Sequence, residues 1–447
     1  MRFIKIALCI FITLFFTWAS IALVSLPWIM EGEKDVITGP TEIKTYLNRH
    51  IFPFRNYFFD SSFIRDHFLI VNTTHDQMLV KEVDPHAPAL PGSPVTDRKK
   101  LAKLLQMCDQ DTSLFDLIVC DIEFQLLSPD PLQDSILNFY IGQLESKGKI
   151  IFGLPYHQRS DEFDTSVIVL NKNNIAATNK DPVSGYYFHH TLSYSSGTVT
   201  SLPFLLYSRH HHSTLRKSWM PGLVRYENNG TSHLFYNSFI PEMLFDRENF
   251  NDYYNDPEMT KMNITAYTNK MAVCDLGKIT EDTTGYILRD LLNTSAGKKD
   301  IFIASISGEH ADKHNTFYGQ LDGAIILLNT YYCLELDYNK LSFWHVLISL
   351  AFFLFIAYRI VYSKRGTEHS PKTPFQYIRH EFQKRLYYLS LLFLTAISYF
   401  GFHHETNLIL LLVLIEFLHT MAGHASKYRI IRQTPDVQPT GQRRIAP

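Results

Sequence analysis

The sequence predicts an α/β external domain, with a mainly parallel sheet, helices on both faces and a β- and loop-rich insertion, carried by four transmembrane α-helices. Three observations predict it. Apolar residues are segregated, with one long uncharged run at the start of the chain and three apolar runs near its end. The stretch between them alternates β-branched apolar segments with amphipathic ones, the pattern of strands joined by crossover helices. The bulk averages fit neither a plain soluble enzyme nor a wholly lipid-embedded chain: charged residues make up 19% and mean hydropathy is -0.08. A net charge of -2 also excludes a protein that coats nucleic acid, whose footprint is strongly basic.

The first element is a membrane anchor over residues 1–30. Ile6 to Met30 holds no charged residue over 25 positions, enough to span a bilayer with some tilt. Arg2 and Lys5 precede the run, and Glu31, Glu33 and Lys34 follow it. It is longer than the apolar stretch of a typical signal peptide, so an uncleaved anchor is expected; Ala22 and Ser25 supply the alternative of cleavage.

Three spans are expected within 341–426: Leu341–Tyr358, Leu386–Phe402 and Thr406–Ser426. The third of the four is short and runs directly into the last, so the two read as a tight hairpin. The loop 363–385 carries Lys364, Arg365, Lys372, Arg379, Lys384 and Arg385, and the tail 427–447 is again basic. Only His403, His404 and Glu405 separate the hairpin spans. The bias of Lys and Arg places both termini in the cytoplasm and residues 31–340 outside. Trp28 and Trp344 then sit near the outer interface, as an aromatic belt requires. A soluble helical bundle is the alternative for these segments.

The external block 31–340 shows no linker and no repeat. Phe68–Thr74 reads as a buried strand and Pro85–Pro94 as a Pro-rich loop. Thr96–Met107 reads as a helix capped by Thr96 or Asp97, with Leu101, Leu104 and Leu105 on one face. Leu117–Phe124 is a second strand, Asp130–Ser146 a helix, Lys149–Tyr156 a third strand and Ser166–Leu170 a fourth. Residues 175–280, rich in Tyr and turn residues, read as the insertion. Regularity returns with a helix at Asp282–Leu292, a strand at Asp300–Ser307 and an apolar helix at Gly323–Leu334. This order implies crossover units and a parallel sheet.

The segments FLIVNTTHD, SPVTDRKKLAKLL, FDLIVCDIEF, PDPLQDSIL and ADKHNTFYGQLDGAIILLNTYYCLEL, with one span before and three after, resemble the type-two CHASE domain. This is the extracellular sensory module of bacterial cyclases and kinases. The resemblance covers roughly residues 40–425 and implies a bacterial inner-membrane protein with its large domain in the periplasm. Members of that family continue into a cytoplasmic output domain. Here 21 residues follow the last expected span, and the sequence holds no P-loop, kinase glycine loop or phospho-accepting helix.

Ligands of open parallel sheets bind at the carboxyl ends of the strands. Candidate ligand-binding residues are therefore Asp121 and Glu123 after the second strand and Asp312, His314 and Thr316 after the strand at Asp300–Ser307, with Asp97 and Arg98 able to pair with such groups; Thr73, His75 and Asp76 follow the first strand. Carboxylates with histidines suit a divalent cation or a cationic ligand, and the alternative is that these residues cap and pair locally. No nucleophile elbow, HExxH or CxxC is present, so no catalytic residue, cofactor or metal site is assigned. His189–His190 and His210–His212 read as surface or loop histidines, because adjacent side chains diverge. Cys108, Cys120, Cys274 and Cys333 lie where disulfides could persist, and Cys120 and Cys333 suit a reduced core. Glu416 and His419 share one helix face near the middle of the last span, where a carboxylate is costly, and are candidates for intramembrane coupling to each other, to Thr395, Ser398 or Tyr399, or to a partner.

These features point to a membrane-bound sensor that is not itself an enzyme. It would relay a signal through its spans to a separate protein partner, with homo-oligomerisation possible and no nucleic acid involved. A structural or assembly subunit whose external domain binds a protein is the first alternative, and a metal-dependent external hydrolase the second.

Overall fold

A computed structural model describes residues 2–22, 66–80, 93–157, 162–163, 168–178, 188–194, 197–220, 222–228, 230–239, 273–293, 297–306, 313–316, 319–338, 340–362, 386, 388–398, 411–413, 415–416 and 420. The chain divides into two compact units. One comprises Met1–Glu33, Met220–Gly222 and Leu341–Pro447; the other comprises Lys34–Trp219 and Leu223–Lys340.

In chain order the elements are α1 (Arg2–Ala22), β1 (Phe68–Asn72), β2 (Gln77–Val80), β3 (Ser93–Thr96), α2 (Arg98–Gln110), β4 (Phe115–Asp121), α3 (Pro131–Ser146), β5 (Ile150–Leu154), β6 (Tyr156–His157), β7 (Glu162–Phe163) and β8 (Ile175–Ala177). The insertion follows with β9 (Phe188–His189), β10 (Thr191–Tyr194), β11 (Gly197–Thr200), α4 (Leu202–His210), β12 (Thr214–Lys217), β13 (Leu223–Asn228), β14 (Thr231–Tyr236) and β15 (Ser238–Phe239). The chain then gives β16 (Val273–Asp275), α5 (Leu276–Glu281), α6 (Tyr286–Leu292), β17 (Lys299–Ala304), β18 (Lys313–Thr316), β19 (Gly319–Asp322), α7 (Gly323–Glu335) and α8 (Phe343–Tyr362).

The larger unit is an α/β fold around a six-stranded sheet of order β16–β1–β17–β4–β5–β8, every neighbouring pair parallel. Every residue of β1, β5 and β17 is buried, as strands covered on both faces must be. Strand alternation sorts the core into two layers. Leu69, Val71, Ile118, Cys120, Phe152, Ile301 and Ile303 pack with apolar residues of α2, α3, α5 and α6. Phe68, Ile70, Leu117, Val119, Ile151, Phe302 and Ala304 pack with α4, α7 and the antiparallel β12–β13–β14 sheet.

Helix starts follow from capping chemistry. Asp97 accepts the Lys99 and Lys100 amides with one carboxylate oxygen, at 3.0 and 3.1 Å, and so starts α2. Asp130 accepts the Leu132 amide at 3.0 Å ahead of Pro131, a residue suited to the first helical position. The helix expected at Asp282–Leu292 is instead α6, separated from α5 by a turn. Asp282 accepts the Thr284 and Ile287 amides, and Gly285 takes φ 69°, a left-handed conformation that favours glycine. The strand expected at Ser166–Leu170 is not formed by its described residues, 168–170; the sixth strand is β8. Most of the expected Pro85–Pro94 loop lies outside the described residues, while Ser93 and Pro94 open β3.

In the smaller unit, two helices are long and apolar enough to cross a membrane, Phe3–Ala22 and Phe343–Tyr362. At 20 residues each they reach about 30 Å, the thickness of a hydrocarbon core. They pack through Cys9, Ile12, Phe16, Phe353, Ile356 and Ala357, with Phe16 stacked on Phe353 at 5.5 Å. Thr13 and Thr17 donate their hydroxyls to carbonyls one turn back, at 2.8 and 2.9 Å, so polar side chains are satisfied within the helix. Four spans were expected, and the described residues show two. Of the third, the described residues show an apolar helix of 11 residues, Tyr388–Ser398, and residues 399–402 lie outside them. Most of the fourth lies outside the described residues.

Candidate functional site

Sequence order runs outward from β1 through β4 and β5 to β8, then returns to place β16 outside β1 and β17 between β1 and β4. The reversal falls at the carboxyl ends of β1, β17 and β4, where open sheets place ligands. Register aligns Asp275, Asn72, Ala304 and Asp121 in one row across β16, β1, β17 and β4. Alternation puts this row on the face covered by α4 and α7.

The loops beyond β1 and β17 do converge there. Asn72 donates to Asp275 Oδ1 at 3.1 Å, and its own Oδ1 accepts the Thr74 hydroxyl and the amides of Thr74 and Ile306. The Thr73 amide donates to the Ala304 carbonyl at 3.0 Å. Asp76 receives Lys100 Nζ at 2.6 Å and the Gly277 amide at 2.7 Å. A Cβ on Gly277 would lie 2.8 Å from Asp76 Oδ1, so the close approach requires glycine. His75 is exposed and stands outside this network.

Of the sequence candidates, Asp121 reaches the carboxyl edge, beside Gly153 of β5 and facing the α4 side. Glu123 is exposed in the turn that follows. Asp97 caps α2. His314 lies half-buried in β18, and Thr316 ends that strand with its side chain outside the described set; Asp312 lies outside the described residues. Glu416 is exposed on a described helical position, its carbonyl accepting the Thr420 hydroxyl at 2.8 Å. His419 lies outside the described residues. Ser398 accepts or donates a 3.0 Å hydrogen bond with His345 of α8.

Of two further groups at this edge, Asp322 was not foreseen, and Arg98, expected with Asp97 to pair with the candidate carboxylates, lies beside Asp134. Arg98, in the first turn of α2, has no exposed surface. Its Nε lies 3.6 Å from Asp134 and its guanidinium stacks 4.6 Å over Phe124. Burial pulls its pKa down, and the Asp134 charge works against that. Asp322 ends β19 and precedes α7. It is 2% exposed and, among the described residues, neither carboxylate oxygen has a hydrogen-bond partner. It does not cap α7 with its side chain.

Two of these histidines, His190 and His210, are not surface or loop residues, whereas His211 and His212 lie in the turn after α4 and His212 is exposed, as expected. His190 is buried against Phe204 and Phe235. At the opposite, amino-terminal edge of the sheet, His210 ends α4 between two carboxylates. Nε2 lies 2.7 Å from Asp300 Oδ2 on β17, and Nδ1 lies 3.6 Å from Asp116 Oδ2 on β4. Asp300 Oδ1 accepts the Leu117 amide at 3.1 Å. His211 meets Glu335, the last residue of α7, at 3.2 Å. Burial disfavours the charged imidazole of His210, but the hydrogen bond and charge of Asp300, with Asp116 and Glu335, lift its pKa above the usual value. Asp116, His210 and Asp300 are the described residues with the donor types and spacing to hold a metal ion. All five cysteines are free, and Cys108, Cys120 and Cys333 sit in the core, where burial raises the thiol pKa of Cys108 and Cys120.

Comparison with protein-family models, curated proteins and solved structures finds no match.

Proposed function

We propose that the chain is a membrane-associated sensor whose α/β domain takes a small cationic or hydrogen-bond-donating ligand at the carboxyl edge of its sheet and passes the event to a separate partner. The element order that resembles the type-two CHASE domain, and two paired apolar helices, support this reading.

The observation that carries it is Asp322. A buried carboxylate without a hydrogen bond loses its hydration and gains nothing in return, a cost of several kcal/mol. An arriving ammonium or hydroxyl group would recover that cost, so ligand affinity is stored at this position. Asp322 heads α7, which is buried along 11 of its 13 residues. Seven residues, Leu336–Ser342, then join α7 to the apolar α8. A ligand that favours one placement of α7 over another would bias the chain entering α8, as any switch between two states requires.

The test uses the full chain in detergent and a panel of primary amines and quaternary ammonium compounds. Thermal unfolding should shift upward with at least one of them. The shift should vanish in Asp322→Asn and survive in Glu123→Gln. If no compound shifts the wild type and Asp322→Asn only raises its melting temperature, the carboxylate is a structural cost and the reading fails.

One observation favours the assembly reading. Leu132, Ile136 and Phe139 recur along α3 at helical spacing and are 63%, 36% and 59% exposed, with Leu127 exposed nearby. A contiguous apolar stripe of this kind marks protein contact. Under that reading, Phe139→Glu removes a co-purifying partner while Asp322→Asn leaves it bound.

A further inference from the structure

We propose that the amino-terminal edge of the sheet binds a divalent transition-metal ion through Asp116 and His210, with Asp300 positioning the imidazole. The edge lies across the sheet from the ligand site proposed above, and this inference does not depend on that reading.

A neutral imidazole carries one N–H and one lone pair. His210 faces a carboxylate with each ring nitrogen, so the neutral ring can donate to only one of them. Asp300 makes the shorter contact, 2.7 Å to Nε2, and is held by the Leu117 amide; its side chain is 3% exposed. It therefore takes the Nε2–H and fixes the tautomer. That leaves the Nδ1 lone pair directed at Asp116 Oδ2, 3.6 Å away. Two donors bound to one zinc-sized ion at about 2.1 Å each, in tetrahedral geometry, stand about 3.4 Å apart. The observed gap needs only a small adjustment.

A carboxylate behind the ligating histidine is how metal sites orient the ring and raise its basicity. The three donor atoms lie within 4.8 Å of one another, so Asp300 could also enter the coordination shell with a modest shift. The three residues come from three elements held together: β4 and β17 are parallel neighbours whose register shifts at Asp300, opposite Asp116 and Leu117, and the end of α4 is tied to α7 by His211–Glu335. Asp116 is 54% exposed, which gives the ion an entrance and leaves room for water ligands. Lys149 Nζ, 3.8 Å from Asp116 Oδ1, is the cation that must yield. Glu335 adds negative charge nearby. The mixed nitrogen and oxygen donor set suits zinc, cobalt, nickel or manganese rather than calcium or magnesium.

The test is cobalt(II) and zinc(II) titration of the chelator-stripped full chain in detergent at pH 8, read by visible absorption and calorimetry. One equivalent is expected, with an absorption band that reports imidazole ligation, and with affinity falling toward pH 6 as protons compete for Nδ1. Asp116→Asn, an exposed position that spares folding, and His210→Ala should each abolish binding of that equivalent. Asp300→Asn should weaken it about 10- to 100-fold, and His212→Ala should leave it unchanged. Absence of stoichiometric binding at millimolar metal, or binding that survives both Asp116→Asn and His210→Ala, overturns the proposal in favour of a plain imidazolium–carboxylate cluster.

Discussion

Replacing Gly153 with alanine tests how tightly β5 meets α4 at the carboxyl edge. A Cβ at this position would stand 2.5 Å from Leu202 Cδ2, 2.6 Å from Thr178 Cγ2 and 3.2 Å from Asp121 Oδ1. Carbon atoms in contact prefer about 3.5–4.0 Å, so the new methyl overlaps Leu202 by about 1 Å. Leu202 is buried at the start of α4. Overpacking of this kind costs about 1–3 kcal/mol. For a domain of this size that lowers the melting temperature by a few degrees, about 2–4 °C per kcal/mol. The shortest contact is with one side-chain atom, Leu202 Cδ2, so that part of the clash can be relieved. Leu202→Ala alone should cost about 2–5 kcal/mol through the cavity it leaves. The double variant should be less damaging than the sum by about 1 kcal/mol, because the overlap with Leu202 is then removed while that with Thr178 Cγ2 remains. Near-UV circular dichroism of the full chain in detergent, followed through thermal or urea unfolding, reads all four corners of the cycle. Additivity within about 0.5 kcal/mol, or a Gly153→Ala protein that melts with the wild type, would refute the close approach of β5 to α4.

Two further outcomes are expected. Arg98→Met should destabilise by about 3–5 kcal/mol because it leaves the buried Asp134 charge without its cation, and adding Asp134→Leu should recover part of that loss, less the hydrogen bonds that Asp134 accepts from the Ser128 amide and hydroxyl; equal melting of the single and double variants would show that the two do not act as a pair. Asp282, held down to about 2 from 3.8, first by the Thr284 hydroxyl and then by the Ile287 amide, contributes stability that is complete above pH 4 and lost as pH falls through about 2. Asp282→Ala should therefore destabilise the protein at pH 6, with the gap to wild type narrowing between pH 4 and 2, and a gap that stays constant over that window would exclude the mechanism.

Much of the sheet is legible in the sequence because β1, β4, β5 and β17 each contain an apolar run buried on both faces. The two edge strands are not. Both β8 and β16 have three residues, too few for periodicity to register, and Val-Cys-Asp looks like nothing in particular until it is paired with Ile70–Asn72. Asp121 could be placed at the carboxyl edge from strand direction alone. Asp322 could not, because nothing in a sequence distinguishes a buried, unpaired aspartate from a solvated one. His210 was hidden for a different reason: three consecutive histidines look like a surface tract, and its partners at positions 116 and 300 lie far away in the chain. Its last-turn position on α4 and the strand-initial positions of Asp116 and Asp300 were the available signals, but only the strand order brings them together.

The central place of β17 has a consequence for biosynthesis. Its left neighbour pairs Phe68 with Asp300, and its right neighbour pairs Ile118 with Ile301. Until residue 304 has left the ribosome, β16–β1 and β4–β5–β8 are two fragments, each presenting a bare apolar edge. Contacts that bridge more than two hundred residues form slowly, because the loop must close before anything is gained. The nascent domain must therefore wait, nearly complete and exposed, for a strand made near its end, and in that interval its open edges are open to pairing with other chains. A chain truncated before β17 should not give a smaller folded domain; it should give aggregates.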